Sequence, residues 1–164
     1  PAAVLAGGTD EQAFRQWRAD CIRALVQRIG RQTRAARPEL QLSAAVFPNA
    51  PSAKYDVGQD WPAWMRAGEL DFICPMIYTD SLATFRRQVE DGVHACGSPA
   101  RMRPGIGASA DRMQLRPDQV LAQLDAARQA GAGGAVIFSL NAVARRDLLP
   151  LLNTSALRSG TTSK

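Results

Sequence analysis

The stretch at residues 71–80, DFICPMIYTD, decides how the fold is read. Six of its ten residues, Phe72, Ile73, Cys74, Met76, Ile77 and Tyr78, are apolar or aromatic. A short continuous apolar run predicts a strand buried on both faces, as in a parallel sheet. It ends on Tyr78, Thr79 and Asp80, a phenol, a hydroxyl and a carboxylate. In parallel α/β folds the functional groups gather at the C-terminal ends of strands, where this strand would surface. Pro75 lacks the N–H that a central strand uses, so a bulge is expected there, re-aiming the residues that follow.

Outward from this strand the chain alternates helix and strand. Residues 11–36 read as a long helix, with Phe14, Trp17, Cys21, Leu25 and Ile29 forming one apolar stripe, Asp10 as N-cap and Pro38 beyond its end. Residues 40–49 contain a strand, and NAPSAKYDVG reads as a loop. DWPAWMRAG, 60–68, reads as a short helix capped by Asp60, with Pro62 in its first turn and Gly68 at its end. Residues 81–97 form a helix with Leu82, Phe85, Val89 and Val93 on one side. A third strand over 101–109 is weakened by Pro104 and its glycines, a helix covers 116–133, a fourth strand covers 134–140, and a last helix begins at Asn141. A helix followed by four β-α units predicts parallel strands near 41–47, 72–79, 102–107 and 134–139, neighbours in that order. The unit spans 1–153, and 154–164 is a polar tail.

Composition narrows the function. The 164 residues carry a net charge of +5 from 18 arginines and two lysines, Lys54 and Lys164. The arginines are spread over helix faces without interleaved aromatics, which argues against a nucleic-acid interface. Three cysteines, Cys21, Cys74 and Cys96, and the single histidine His94 fall short of a zinc-site pattern. No apolar run is long enough to be a transmembrane helix. The chain opens on Pro1, which leaves room for a leader or an upstream domain.

The segment GQDWPAWMRAGELDFICPMIYTD resembles a characteristic segment of the bacterial glycosyl-hydrolase-like family 10, through Gln59, Asp60, Trp61, Trp64, Gly68, Asp71, Pro75, Met76 and Tyr78. FRQWRADCIRALVQRIG, SAAVFPNAPSA and GAVIFSLNA add to the likeness, although Cys21 stands where the family would have a polar residue. The resemblance implies a TIM-barrel hydrolase, with some members being envelope lipoproteins that act on peptidoglycan glycan strands. A (β/α)₈ TIM barrel takes about 250 residues and eight strands. By the resemblance this chain looks like the C-terminal half, strands five to eight, either of a longer protein or as a half-barrel with two exposed strand edges. Its partners would be an N-terminal half in a longer chain and a polysaccharide. Neither the motifs nor the resemblance calls for a cofactor or a metal.

Most glycosidases use two carboxyl groups, about 5–5.5 Å apart for retention and roughly 6.5–9.5 Å for inversion. No glutamate falls at the C-terminal end of an expected strand. Asp80 is the best single candidate for an acid/base or stabilising role; its alternative is capping of the helix that follows. Asp111 lies in an irregular loop, and Asp71 is at the wrong end of its strand. Tyr78 and Tyr55 are candidate sugar-stacking surfaces, since sugar rings offer apolar faces. Trp61 and Trp64 stand either in the core or against a ligand. Asn49, Gln59, Asp60 and Ser139 are candidate hydrogen-bonding partners for sugar hydroxyls, although Asp60 also reads as a helix cap. Two other readings stay open. One is a non-catalytic glycan-binding or degenerate barrel module. The other is a doubly wound domain for a small anion, against which the missing phosphate loop argues.

Overall fold

The computed structural model describes residues 9–110, 113–139, 141–142 and 144–152. Within them α1 (Thr9–Ala36) leads into β1 (Ser43–Val46), then α2 (Ala50–Val57), α3 (Trp61–Arg66), β2 (Phe72–Ile77) and α4 (Leu82–Cys96). After a 3₁₀ turn come β3 (Gly105–Gly107), the short pair β4 (Ser109–Ala110) and β5 (Met113–Gln114), α5 (Pro117–Gln129) and β6 (Val136–Phe138). A π-helical turn, Ala144–Leu148, and a helical turn, Leu149–Leu151, follow. The main sheet runs β1-β2-β3-β6, with every neighbouring pair parallel. The expected strand order holds, and the 71–80 segment is an interior strand.

Several expectations need correction; Asp10, expected to cap the first helix, lies in the first turn of α1. Residues 50–57, read as loop, form α2: Asn49 Oδ1 accepts from Ser52 N at 2.9 Å, Pro51 sits in the first turn, and Gly58 closes the helix at φ 72°. The expected bulge at Pro75 is absent. β2 keeps one offset to β3, with Ile73 opposite Met102 and Met76 opposite Gly105. That register sets Pro75 across from Pro104, and the ladder between the two strands is interrupted at this point. The two residues that lack an N–H thus share a single gap, with no extra residue needed.

The sheet has one covered face and one open face. Parallel partners in register share a face. Val46, Pro75, Ile73, Ile77 and Ile106 point to the covered side and are buried. Trp61, Trp64 and Met65 of α3, Phe85 and Val89 of α4, and Val120 and Ala126 of α5 belong to the same core. The other face carries Phe72, Cys74, Met76, Tyr78, Val136 and Phe138, none of them fully buried. Parallel sheets are normally covered on both faces; among the described residues this apolar face is left only partly covered.

The same incompleteness shows on α1. The stripe expected to seat the helix, Phe14, Trp17, Cys21, Leu25 and Ile29, is exposed, with Trp17 at 59%. The helix packs instead through Ala19, Ile22, Val26 and Gly30. It is apolar on two faces, as suits a helix held between two layers. At the N-terminal end of the sheet the joints are polar. Asp71 and Leu42 exchange hydrogen bonds, Leu42 N to Asp71 Oδ2 at 2.6 Å and Asp71 N to Leu42 O at 2.8 Å. Arg101 donates to the carbonyls of Met65, Leu70 and Asp71. The buried Glu69 takes Arg23 and Gln27 at 2.8–2.9 Å. Asp71 and Glu69 are therefore structural.

Candidate functional site

On the open face, β3 contributes only glycines between the side chains of β2 and β6. A Cβ at Gly107 would lie 3.0 Å from Tyr78 Cβ and Cδ1, and one at Gly105 would lie 3.1 Å from the Pro75 carbonyl oxygen. With no side chain between them, Tyr78 and Phe138 meet across the middle strand. Their rings stack with centroids 5.6 Å apart and planes 15° apart. The glycines of the third strand thus admit a side chain of the protein itself. Gly107→Ala should force Tyr78 and Met113 aside and destabilise the fold by about 1–3 kcal/mol, the usual range for overpacking. Denaturant unfolding checks this, with an unchanged midpoint as the contrary result.

Beyond Tyr78 the chain turns at Thr79 and Asp80. Together with Ala110, Met113, Gln114 and Gln119 these residues line an open cleft of about 620 Å³ at the C-terminal end of the strands. The β4–β5 hairpin forms its other wall. Asp80 is exposed and does not cap α4. That task belongs to Ser81, whose hydroxyl accepts from Thr84 N at 3.2 Å. Asp80 is the carboxylate lining this cleft, and its side chain has no hydrogen-bond or ion-pair partner among the described residues. Two carboxylates further along the chain, Asp118 and Asp147, are occupied. Arg116 hydrogen-bonds Asp118 and holds that carboxyl below its ordinary range, and Arg146 does the same for Asp147. Both stay ionised and paired, which makes them poor proton donors. Burial pushes the Cys74 thiol up, with Arg103 opposing, so the thiol is protonated and a weak nucleophile.

The other sequence candidates lie after strand ends of the same sheet but outside this cleft. Asn49 caps α2. Gln59 Oε1 accepts from Phe47 N at 2.9 Å, so this side chain ties β1 to the loop before α3. Asp60 caps α3 through Ala63 N and pairs with Lys54 at 2.8 Å. Trp61 is 0% exposed, with Nε1 donating to the Phe47 carbonyl at 3.1 Å. It offers no ring face to a sugar, and the structure assigns it to packing. Tyr55 is exposed, but the Arg15 guanidinium lies 3.5 Å from its ring centroid, covering one face. Ser139 meets Ser109, with hydroxyls 3.3 Å apart. Asn141 joins them through Nδ2 on Ser109 Oγ at 2.9 Å, while its Oδ1 accepts from Ala144 N. Asp111 and the tail 154–164 lie outside the described residues.

Sequence reasoning missed Gln114, Gln119, Phe138 and Ser109. The hairpin that carries Ser109 and Gln114 has strands of two residues, too short for any periodic signal. Phe138 becomes a site residue only through its register with Gly107 and, across it, Tyr78. The GIG at 105–107 was the available sign, since a strand centre without side chains leaves room for its neighbours' rings.

The fold is a parallel α/β sheet, with an aromatic stack and a carboxylate that has no partner among the described residues at its strand ends, the rim where parallel α/β folds in general bind ligands. The comparisons name the family. The glycosyl hydrolase-like 10 family matches residues 5–96, more than half of the chain, and the chain belongs to that family. Among solved structures, the chain is similar to the glycoside hydrolase domain of PgaB (BpsB) from Bordetella bronchiseptica, with a TM-score of 0.73 and 14% identity. The match takes in 92% of this chain and 46% of that one, so the chain spans less than half of the solved domain. At that identity the likeness concerns the fold. No curated protein sequence matches the chain. Among the described residues no helix is long and apolar enough to cross a membrane.

Proposed function

We propose that the chain is strands five to eight of a (β/α)₈ barrel, and that the complete protein is a cell-envelope glycosidase acting on polysaccharide, with peptidoglycan glycan strands as the substrate. The observation that carries this reading is the cleft at the strand ends, where Asp80, without a partner among the described residues, stands beside the Tyr78–Phe138 stack. Stacked rings suit the apolar faces of sugars, and a free carboxylate suits proton transfer to or stabilisation of a glycosidic centre. The glutamines Gln114 and Gln119 offer hydrogen-bonding groups on the opposite wall, although Gln119 Oε1 already accepts from Arg116 N at 2.9 Å. The open sheet face and the outer stripe of α1 support a missing half of the barrel, as does the 46% coverage of the solved domain.

In this reading Asp80 supplies one of the two carboxyl groups and the upstream half supplies the other. The test is release of soluble fragments from purified glycan strands by the full-length protein, with neutral polysaccharides in parallel. Release from the cell-wall glycan supports the proposal. Release only from another polysaccharide would move the substrate assignment. The second reading is a glycan-binding module without turnover. It is favoured by Asp80 being the single carboxylate among the described residues of the cleft, and retention of glycan without fragment release would decide for it.

A further inference from the structure

Gln123 is a polar residue in a place where packing alone would take an apolar one. It sits on α5, is 1% exposed, and donates from Nε2 to the Thr79 carbonyl at 2.7 Å. A carbonyl only accepts, so the amide nitrogen must face Thr79. The amide oxygen, Oε1, is then turned away, buried and without a partner among the described residues. An apolar side chain of the same size would avoid leaving a buried acceptor unpaired, so filling space does not account for this residue. What it gains is a hold on Thr79 from a helix 44 residues further along the chain. The Thr79 hydroxyl is held too, accepting from Ser81 N at 3.2 Å. The two polar groups of Thr79 are thus fixed on either side, and the residue they frame is Asp80.

We infer that Gln123 is a positioning residue. By holding the Thr79 carbonyl it fixes the turn that aims Asp80, and with it Tyr78, into the cleft. This rests on the glycosidase reading of that cleft. A carboxyl group acts only when placed to within a fraction of an ångström of its target, and small displacements are costly in rate. Gln123 touches neither the cleft nor the reacting atoms, and its effect passes through the backbone.

Two variants test it in the full-length protein. Gln123→Leu removes the donor and the unpaired acceptor together, so thermal unfolding should change little. kcat should fall on the order of tenfold with KM nearly constant, the pattern for an interaction that matters in the transition state. Gln123→Glu keeps the shape. Its protonated form can donate to the Thr79 carbonyl and its ionised form cannot. Burial raises the pKa of such a carboxyl group. Turnover relative to wild type should be highest at low pH and fall as pH rises through that value, a profile that a merely structural role would not give. Amide hydrogen exchange at Asp80 and Ser81 should be faster in Gln123→Leu. Unchanged exchange overturns the inference, and so does faster exchange with wild-type kcat. Should Gln123→Leu fail to fold, the pH series on Gln123→Glu decides, and a profile parallel to wild type overturns the inference. If the wild-type protein itself shows no turnover, the glycosidase reading fails, and exchange alone decides whether Gln123 holds the turn.

Discussion

On the glycosidase reading, Asp80→Asn in the full-length protein should lower glycan turnover by about 10²-fold or more, the scale of lost acid/base catalysis, and should leave thermal unfolding where it was. The substitution keeps the size of the side chain and removes its charge and its exchangeable carboxyl proton. Had Asp80 been the cap of α4, Asn would have served nearly as well and the two outcomes would be hard to separate. The cap is Ser81, so Asp80 has no structural duty to α4 that Asn would have to inherit. Its exposure and lack of an ion pair among the described residues also mean that little stability is tied to its charge. Wild-type turnover in this variant would take Asp80 out of the mechanism and leave both catalytic carboxyl groups to the other half of the barrel.

On its own the 164-residue chain should self-associate. Its exposed large apolar residues are concentrated at the two ends of the sheet. Phe14, Trp17, Leu25 and Ile29 lie on α1 and Phe47 directly after β1, while Val136 and Phe138 lie on β6. The outer edges of β1 and β6 lack a neighbouring strand in the described sheet. Unpaired edges beside exposed apolar surface are a template for pairing with another chain. Light scattering on the isolated chain should report oligomers at micromolar concentration, and supplying the upstream half should return a single species. A monodisperse monomer with cooperative unfolding would contradict this and mean that the fold closes by itself.

How far the sequence could be read depended on the range of the interactions involved. The interior strand at 72–77 was legible because burial writes a continuous apolar run. The cap at Asp60 was legible because it is local backbone chemistry. The stripe on α1 was legible as apolar, but its direction was not. Periodicity reports that a face is hydrophobic and says nothing of which layer covers it, and here the smaller residues Ala19 and Gly30 are the buried ones. α2 escaped because Pro51 and the polar residues around it look like a loop, although Asn49 and Gly58 mark its two ends. At the site, Tyr78 and Asp80 could be found from the strand that ends in them. The Tyr78–Phe138 stack and the Gln123 hold could not, since each joins residues 44–60 positions apart through the register of the sheet or the packing of a helix.

The most direct test is a crystal structure of the full-length protein with an oligosaccharide of the glycan bound. Upstream strands should hydrogen-bond to the free edges of β1 and β6. The sugar should lie against Tyr78 with a glycosidic oxygen within reach of Asp80. A structure in which those edges stay unpaired, or in which the sugar binds away from the 78–80 turn, would contradict the assignment of this chain as the site-bearing half of a glycosidase barrel.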